Sequence, residues 1–533
     1  MFAAILRKEL LNHLASFRFW VGALLTIVLA ASSTLIAARD YSLRLNSYQE
    51  RVADHAKELQ AVSVYSSLQP LVVRAPAPLS VLDQGFDSRQ GTEVVIHLFS
   101  IPVEATGGHR GNELLTSLPT VDLTTIVSVV LGLLALLLTH DTFNGEREDG
   151  MLRALFAAGV TRRTVLAGKF AGGLLTLGFP LALGLLVSLA LFRLEVRVAF
   201  SPDQWLRIAG LVGTYVAYLS LMLLAGLLVS LLTGSTSRAL AVSVLVWFVL
   251  TIVIPGSAWA VASDLVRTEE VKRSAQREVE ELTAELERTA ARELRRDPLR
   301  STFSGHTAMS FASGPHRAVR YRNGSPAYYD SLAKYYRFEV ESGIRQAARI
   351  FEAQQRYEDR LRSGERLGAR LAAISPAFLL DHLSESFSGT SIDEYDRFLE
   401  ACRRYRLALR DDLERKGAFQ TWRWFTDDPP EGSLPWPRYL GLAPEEVDPA
   451  GVRPLFSRLS EPGIQARIRR DREAAETDPS RRLRLDDLPR FSYQRANFLA
   501  ALRRGAPEAG ALLTLNALVA AAAWVRFRRY DIG

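Results

Sequence analysis

The residues best suited by type and spacing to a functional task lie within 141–169, DTFNGEREDGMLRALFAAGVTRRTVLAGK. Glu146, Arg147 and Gly150 belong to a charged turn. Met151, Leu152, Leu155 and Phe156 follow at i, i+1, i+4 and i+5 as a short helical stripe. Arg162 and Arg163 come next, then Lys169 at the edge of the following apolar run. A charged turn beside an exposed apolar stripe suits docking into a partner's groove. Movement of that partner would tilt the apolar runs on either side, residues 123–139 and 170–192. The plainer reading of the same residues is a loop lying on a membrane surface.

Other chemistries find few residues. Gly168-Lys169 resembles the end of a phosphate-binding loop, but Phe170 follows and Arg163 stands where the first glycine belongs. The chain is therefore expected not to bind ATP itself, to be no enzyme and to hold no cofactor. Neither H-E-x-x-H nor G-x-S-x-G occurs. Asp381, His382 and Glu385 form the best acidic–histidine cluster, yet a metal needs more ligands, so a solvated helix face is expected and no metal. The single cysteine, Cys402, excludes an internal disulfide and a cysteine-based zinc site. The apolar runs carry almost no ionisable residues, which argues against an ion-driven carrier. A motor, if there is one, is expected on another chain.

The elements that position this segment are read from the apolar blocks. The 533 residues, 48% hydrophobic, are too many for one core. The net charge is +7, with basic residues flanking apolar blocks, which favours an anionic bilayer over nucleic acid as partner. Phe2, Ile5, Leu6, Leu10, Leu14 and Phe17 form a helical stripe, with Arg7, Lys8, Glu9 and Asn12 off it, as in an interfacial helix. Residues 19–38 are long enough to span a bilayer at ~1.5 Å per residue and too long for the core of a cleaved signal peptide. Spans are expected at 123–139, 170–192, 208–232 and 239–262, and a last one at 509–525. Pro180 and Pro255 predict kinks. Gly168, Gly172, Gly173, Gly210, Gly213 and Gly226 predict close helix approach.

The expected fold is mainly α: a polytopic membrane protein with about six transmembrane helices, a small mixed outer insert and a large helical extracytoplasmic domain. The divisions are 1–38 (interfacial helix and first span), 39–122 (first insert), 123–262 (four spans with the coupling segment 141–169), 263–506 (large domain) and 507–533 (last span and tail). Pro70, Pro76 and Pro78 break the insert, and 93–101 (EVVIHLFSI) reads as a strand. The large domain reads as an amphipathic helix at 264–296, a loop at 300–325, helices at 327–371 and 392–416, and a proline-punctuated stretch at 429–462. Basic residues near the span ends favour both termini inside and both soluble regions outside.

Several stretches carry a family resemblance. Arg7-Lys8-Glu9-Leu10 and Gly145-Glu146-Arg147-Glu148-Asp149-Gly150-Met151-Leu152-Arg153 are two, as is Thr161-Arg162-Arg163 through Gly168-Lys169-Phe170. The others are Ala75-Pro76-Ala77-Pro78-Leu79-Ser80-Val81-Leu82 with Gly85, then Ile374-Ser375-Pro376-Ala377, Ser388-Gly389-Thr390, Asp396-Arg397-Phe398 and Arg529-Tyr530-Asp531-Ile532. The chain resembles the permease subunit of type-2 ABC exporters, in the branch with a large extracytoplasmic insertion, similar to the nitrous-oxide-reductase maturation permease. That family commonly has Thr where this chain has Met151. The resemblance implies six spans in a bacterial cytoplasmic (inner) membrane and a separate ABC ATPase that holds the ATP. It also implies a second permease half, identical or not. Export, or extraction of substrate from the membrane, would follow. The alternative is a membrane-anchored assembly or sensor module whose outer helical domain binds an extracytoplasmic partner without transport.

Overall fold

A computed structural model describes residues 2–87, 90–107, 121–196, 200–266, 268–295, 326–427 and 461–530. Among them six helices are long and apolar enough to cross a membrane: Phe17–Gln60, Leu123–Glu148, Arg162–Val196, Pro202–Leu232, Thr236–Ala258 and Ala506–Arg528. The protein is thus a mainly α, polytopic membrane protein with six candidate spans among the described residues.

Helix α1 (Phe2–Ala15) meets α2 (Phe17–Gln60) at Ser16, whose Oγ accepts the Phe19 N–H at 3.3 Å and caps α2. At ~1.5 Å per residue α2 is roughly twice the length of a bilayer core, so its polar second half continues as helix beyond the span. The second span, α3, runs from Leu123–Ile126 through a π turn, Val127–Leu131, into Gly132–Thr139. Two short helices follow, α4 (Asn144–Glu148) and α5 (Met151–Ala157). The next spans are α6 (Arg162–Val196), which continues through Pro180, and α7 (Pro202–Leu232), opened by a Ser201–Gln204 capping box.

The fifth span, α8, joins Thr236–Phe248 to Ile254–Val266 through a second π turn, Val249–Val253. Pro255 explains the turn. Its ring crowds the carbonyl four residues back and it lacks an N–H, so the ladder widens just before it. The carbonyl of Leu250 in this turn accepts a hydrogen bond from Ser375 Oγ.

Beyond the spans lie α9 (Thr268–Arg295), α10 (Pro326–Ala372), α11 (Pro376–Ser388), α12 (Ile392–Arg415), α13 (Pro462–Thr477), α14 (Phe498–Arg504) and the last span α15 (Ala506–Arg528). The loop expected at 300–325, and nearly all of the irregular stretch at 429–462, lie outside the described residues. The strand expected over 93–101 stops early. Only β2 (Glu93–Val95) pairs, antiparallel to β1 (Leu71–Val73), with Val72 opposite Val94. The carbonyls of His97 and Leu98 bond to the Arg406 guanidinium instead of a neighbouring strand, the first at 3.0 Å.

That Arg406 contact shows a broader point. Regions 39–122 and 263–506, read separately in the sequence, meet in one core: Leu68, Val72, Val94 and Ile96 pack with Phe398, Leu409, Leu413 and Trp424. The Ala105 N–H donates to Tyr395 Oη at 2.8 Å, and the Leu483 N–H to the Val62 carbonyl at 2.9 Å.

A second stitch lies nearer the spans, where Ser388 Oγ donates to Asp83 Oδ2 at 2.8 Å. Burial, then the neighbouring Asp122 and Glu385, push the Asp83 carboxyl well above the usual range. A folded pKa above the unfolded one gives stability that is present at low pH and lost as pH rises, by about 1.4 kcal/mol per unit between the two values. Asp83→Asn is therefore expected to flatten the fall in melting temperature that sets in as pH rises above the ordinary carboxylate value of about 4. An unchanged pH slope in the variant would show that Asp83 does not carry it.

Helix α11 lies against α7, and Gly210 is why it fits. A Cβ there would stand 2.7 Å from the Phe387 ring. Gly168 and Gly172 likewise meet Ile5 and Glu9 at 2.7 Å, which lets α1 lie on α6. The expectation fails at Gly213, where nothing lies within 4 Å. Gly210→Ala should destabilise by about 1–3 kcal/mol through overpacking against a rigid ring. Gly213→Ala should be neutral or stabilising by up to ~1 kcal/mol, since alanine favours the helix. Thermal unfolding of the two variants checks the contrast.

Candidate functional site

The segment between the second and third spans touches almost every element at its end of the bundle. Gly150 stands at φ +72°, the left-handed region, so the chain can turn between α4 and α5 without a Cβ penalty. Gly159 at φ +76° closes α5 in the same way. The α3 end is fixed to α7: the Phe143 N–H donates to Ser230 Oγ at 3.1 Å, and Asn144 Nδ2 to Thr233 Oγ1 at 2.8 Å. Glu148 accepts from the Thr236 N–H at 3.3 Å and from Thr236 Oγ1 at 3.0 Å, holding the start of α8.

The strongest linkage is a chain of four charges. Lys169 Nζ on α6 lies 2.9 Å from Glu9 Oε1 on α1 and 2.9 Å from Glu146 Oε2 on α4. Lys8 then pairs with the other Glu146 oxygen, and its ammonium also lies 2.8 Å from Met151 Sδ. The Lys169 side chain is 1% exposed and Glu9 6%. It also donates to the Thr142 carbonyl at 3.2 Å. A polar cleft of about 220 Å³ opens beside the chain, bounded by Glu9, His13, Arg18, Asp141 and Asp149.

Periodicity marks Glu9 as off the apolar stripe of α1, yet the structure buries it on one side with Ile5 of the stripe and leaves Arg7 and Asn12 exposed. Ile5, Glu9 and His13 are the buried residues of α1, while Phe2, Leu11, Leu14 and Phe17 are exposed. The sequence reading missed Glu9 and Lys8 as site residues. Lys169 at the start of an apolar run hints at an acidic partner without showing which one.

The apolar stripe needs a correction. Leu152, expected as part of an exposed anchor, is 1% exposed and sits in a core with Ile5, Phe143, Val160, Val165, Leu227 and Phe527. Phe156 is half-buried, its ring 6.3 Å from Phe527 and beneath the Arg162 guanidinium at 5.4 Å. Leu155 is half-buried, while Met151 remains 43% exposed. A seven-residue helix buries its own largest side chains to stay folded, so the surface it offers is Met151, Arg153, Ala154, Ala157 and Ala158. Glu146 lies inside the charge chain. Arg147 stacks over the Tyr530 ring at 5.8 Å.

His382 does not build a metal site with Glu385. Its Nδ1 pairs with Glu508 Oε1 at 3.5 Å, and no group of His, Cys, Asp or Glu among the described residues is arranged to hold a metal.

Residues 3–305, more than half of the chain, match the family described as ABC-2 family transporter protein. The chain belongs to that family. Residues 327–494 match a second description, Domain of unknown function (DUF3526), which covers α10 to α13 and the segment after them. No curated protein matches the chain. As an ABC-2 permease the protein is the membrane component of an ABC transporter, and the family implies an ABC ATPase as partner. The matched region contains all the residues of the four-charge chain.

Proposed function

We propose that this ABC-2 permease is one half of an ATP-driven exporter of the type-2 class, in the branch similar to the nitrous-oxide-reductase maturation permease. Segment 141–169 receives the ATPase. Glu146, Arg147 and Gly150 shape the turn, Met151 and the small residues beside it meet the partner, and Leu152, Leu155 and Phe156 seat α5 on the bundle. The observation that carries this reading is the four-charge chain. A rigid turn tied at once to α1 and α6 can pass a push to both. Both termini then face the cytoplasm of a bacterial inner membrane, and regions 39–122 and 263–506 face outward. Two such chains, by default identical and related by a two-fold axis, complete the transporter.

Nucleotide binding on the ATPase would switch the spans between two arrangements and move a substrate outward or out of the bilayer. Reconstituted with its ATPase in liposomes, the complex is expected to hydrolyse ATP faster in the presence of its substrate. A complex that forms but never responds to any lipid or periplasmic extract fraction favours the other reading, an assembly or sensor module. The observation behind that reading is the single core joining both outer regions, which is larger than a span connector needs.

A further inference from the structure

The last span is fastened at both ends, and between them one face lies on α7 while Leu513 and Leu518 stay exposed. At the segment end, the Arg162 guanidinium donates to the carbonyls of Phe527 and Tyr530, the latter at 3.1 Å. Arg162 also lies over the Phe527 ring at 5.6 Å, and Phe527 packs against Phe143, tilted by 47° with centroids 4.8 Å apart. Tyr530 Oη reaches Asn144 Oδ1 at 3.5 Å. Phe527 and Tyr530 are both nearly fully buried. The terminal carbonyls of a helix have no partner inside it, and here a guanidinium from another span caps them.

At the opposite end, α14 and α15 grip the outer region. Gly505 packs on Leu383 of α11, where a Cβ would stand 2.8 Å from the leucine. Glu508 pairs with His382 of α11, and Arg504 with Glu394 of α12 at 3.7 Å. Between these ends, one side of α15 lies on α7, with Asn516 Nδ2 donating to the Ala217 carbonyl at 3.1 Å. Its other side is open, with Leu513 and Leu518 more than 60% exposed.

We propose that α15 is a tie rod: it carries displacement of segment 141–169 directly to α11 and α12, with Arg162, Asn144 and Tyr530 as the positioning residues at its inner end. A helix is stiff along its axis, so a rod fastened at its two ends passes an axial shift from one to the other. This rests on the docking reading only for what moves the segment. The rod itself is a property of the chain alone.

The test therefore uses the full chain alone in lipid nanodiscs, followed by hydrogen exchange. Tyr530→Ala or Arg162→Gln at one end is expected to speed exchange at least threefold at residues 376–388 and 498–504, across the membrane. His382→Ala at the other end should do the same for residues 151–158. Leu518→Ala, in the exposed middle, should change neither end. Loosening confined to the mutated end in both directions overturns the rod. If Tyr530→Ala fails to fold, Arg162→Lys keeps the test, because one ammonium cannot match the two-carbonyl fork. ATPase co-purification is scored separately, so failure of the docking reading leaves this result standing on its own.

Discussion

Replacing Lys169 with methionine is expected to unseat the segment more than any other single change in this part of the chain. The substitution keeps the volume and removes only the charge. Glu9 and Glu146 are then left facing each other without the ammonium that sits 2.9 Å from each. Removing one partner of a buried ion pair costs about 3–5 kcal/mol, mostly because the other charge stays buried and unpaired. Lys8 still holds one oxygen of Glu146, so Glu9 suffers most. The expected result is a fall in the melting temperature of the solubilised chain on the order of 5 °C or more at a fixed scan rate. Adding Glu9→Gln should return at least half of the loss, because an amide is far cheaper to bury than a carboxylate. A Lys169→Met chain that melts within a degree of wild type would mean that the charge chain does not hold α1, α4 and α6 together.

The same residues show how far the sequence can be read. The spans are legible because a bilayer demands a run of about 20 apolar residues, and nothing else in a chain of this composition produces one. The turn at Gly145–Gly150 is legible because charge between two such runs has to lie at a membrane face. Glu9 is not legible. Its partner lies 160 positions away, and a stripe in α1 shows that two faces differ without showing which one the bundle covers. The same ambiguity made Leu152 look like a docking anchor: an apolar residue on a short helix points either to a partner or to its own core. Helix α11 was read only as a solvated face at 381–385, and its bounds went unread although Ser375 before Pro376 is a sound start signal, with Ser375 Oγ accepting from the Phe378 N–H at 3.3 Å. Its residues pack on α7 and α15 through single glycines, and such a fit has no local signature. The shared core of regions 39–122 and 263–506 is invisible for a related reason. It depends on pairings such as Tyr395 with Ala105, separated by 290 residues.

Met151→Asp combined with Ala154→Asp is expected to lower affinity for the ATPase partner by at least ~30-fold and to leave the fold intact. Both positions are exposed, one turn apart on α5, and neither belongs to the core beneath it. A central contact in an interface carries about 2 kcal/mol or more, which is the ~30-fold loss. Leu152→Ala is the counterpart. It removes a side chain buried among Ile5, Phe143 and Phe527, so it should cost about 2–5 kcal/mol of stability. Its effect on binding should come through the loosened helix. The pair separates the two things an apolar stripe can do. Leu155→Asp with Phe156→Asp would not, since Phe156 packs against Phe527 and Arg162 and its loss damages both at once. Melting curves and a binding titration with the purified ATPase decide the matter. If the Met151/Ala154 double variant binds the ATPase as wild type does, the partner does not sit on α5. The cleft beside Glu9 and Asp149 then becomes the surface to test.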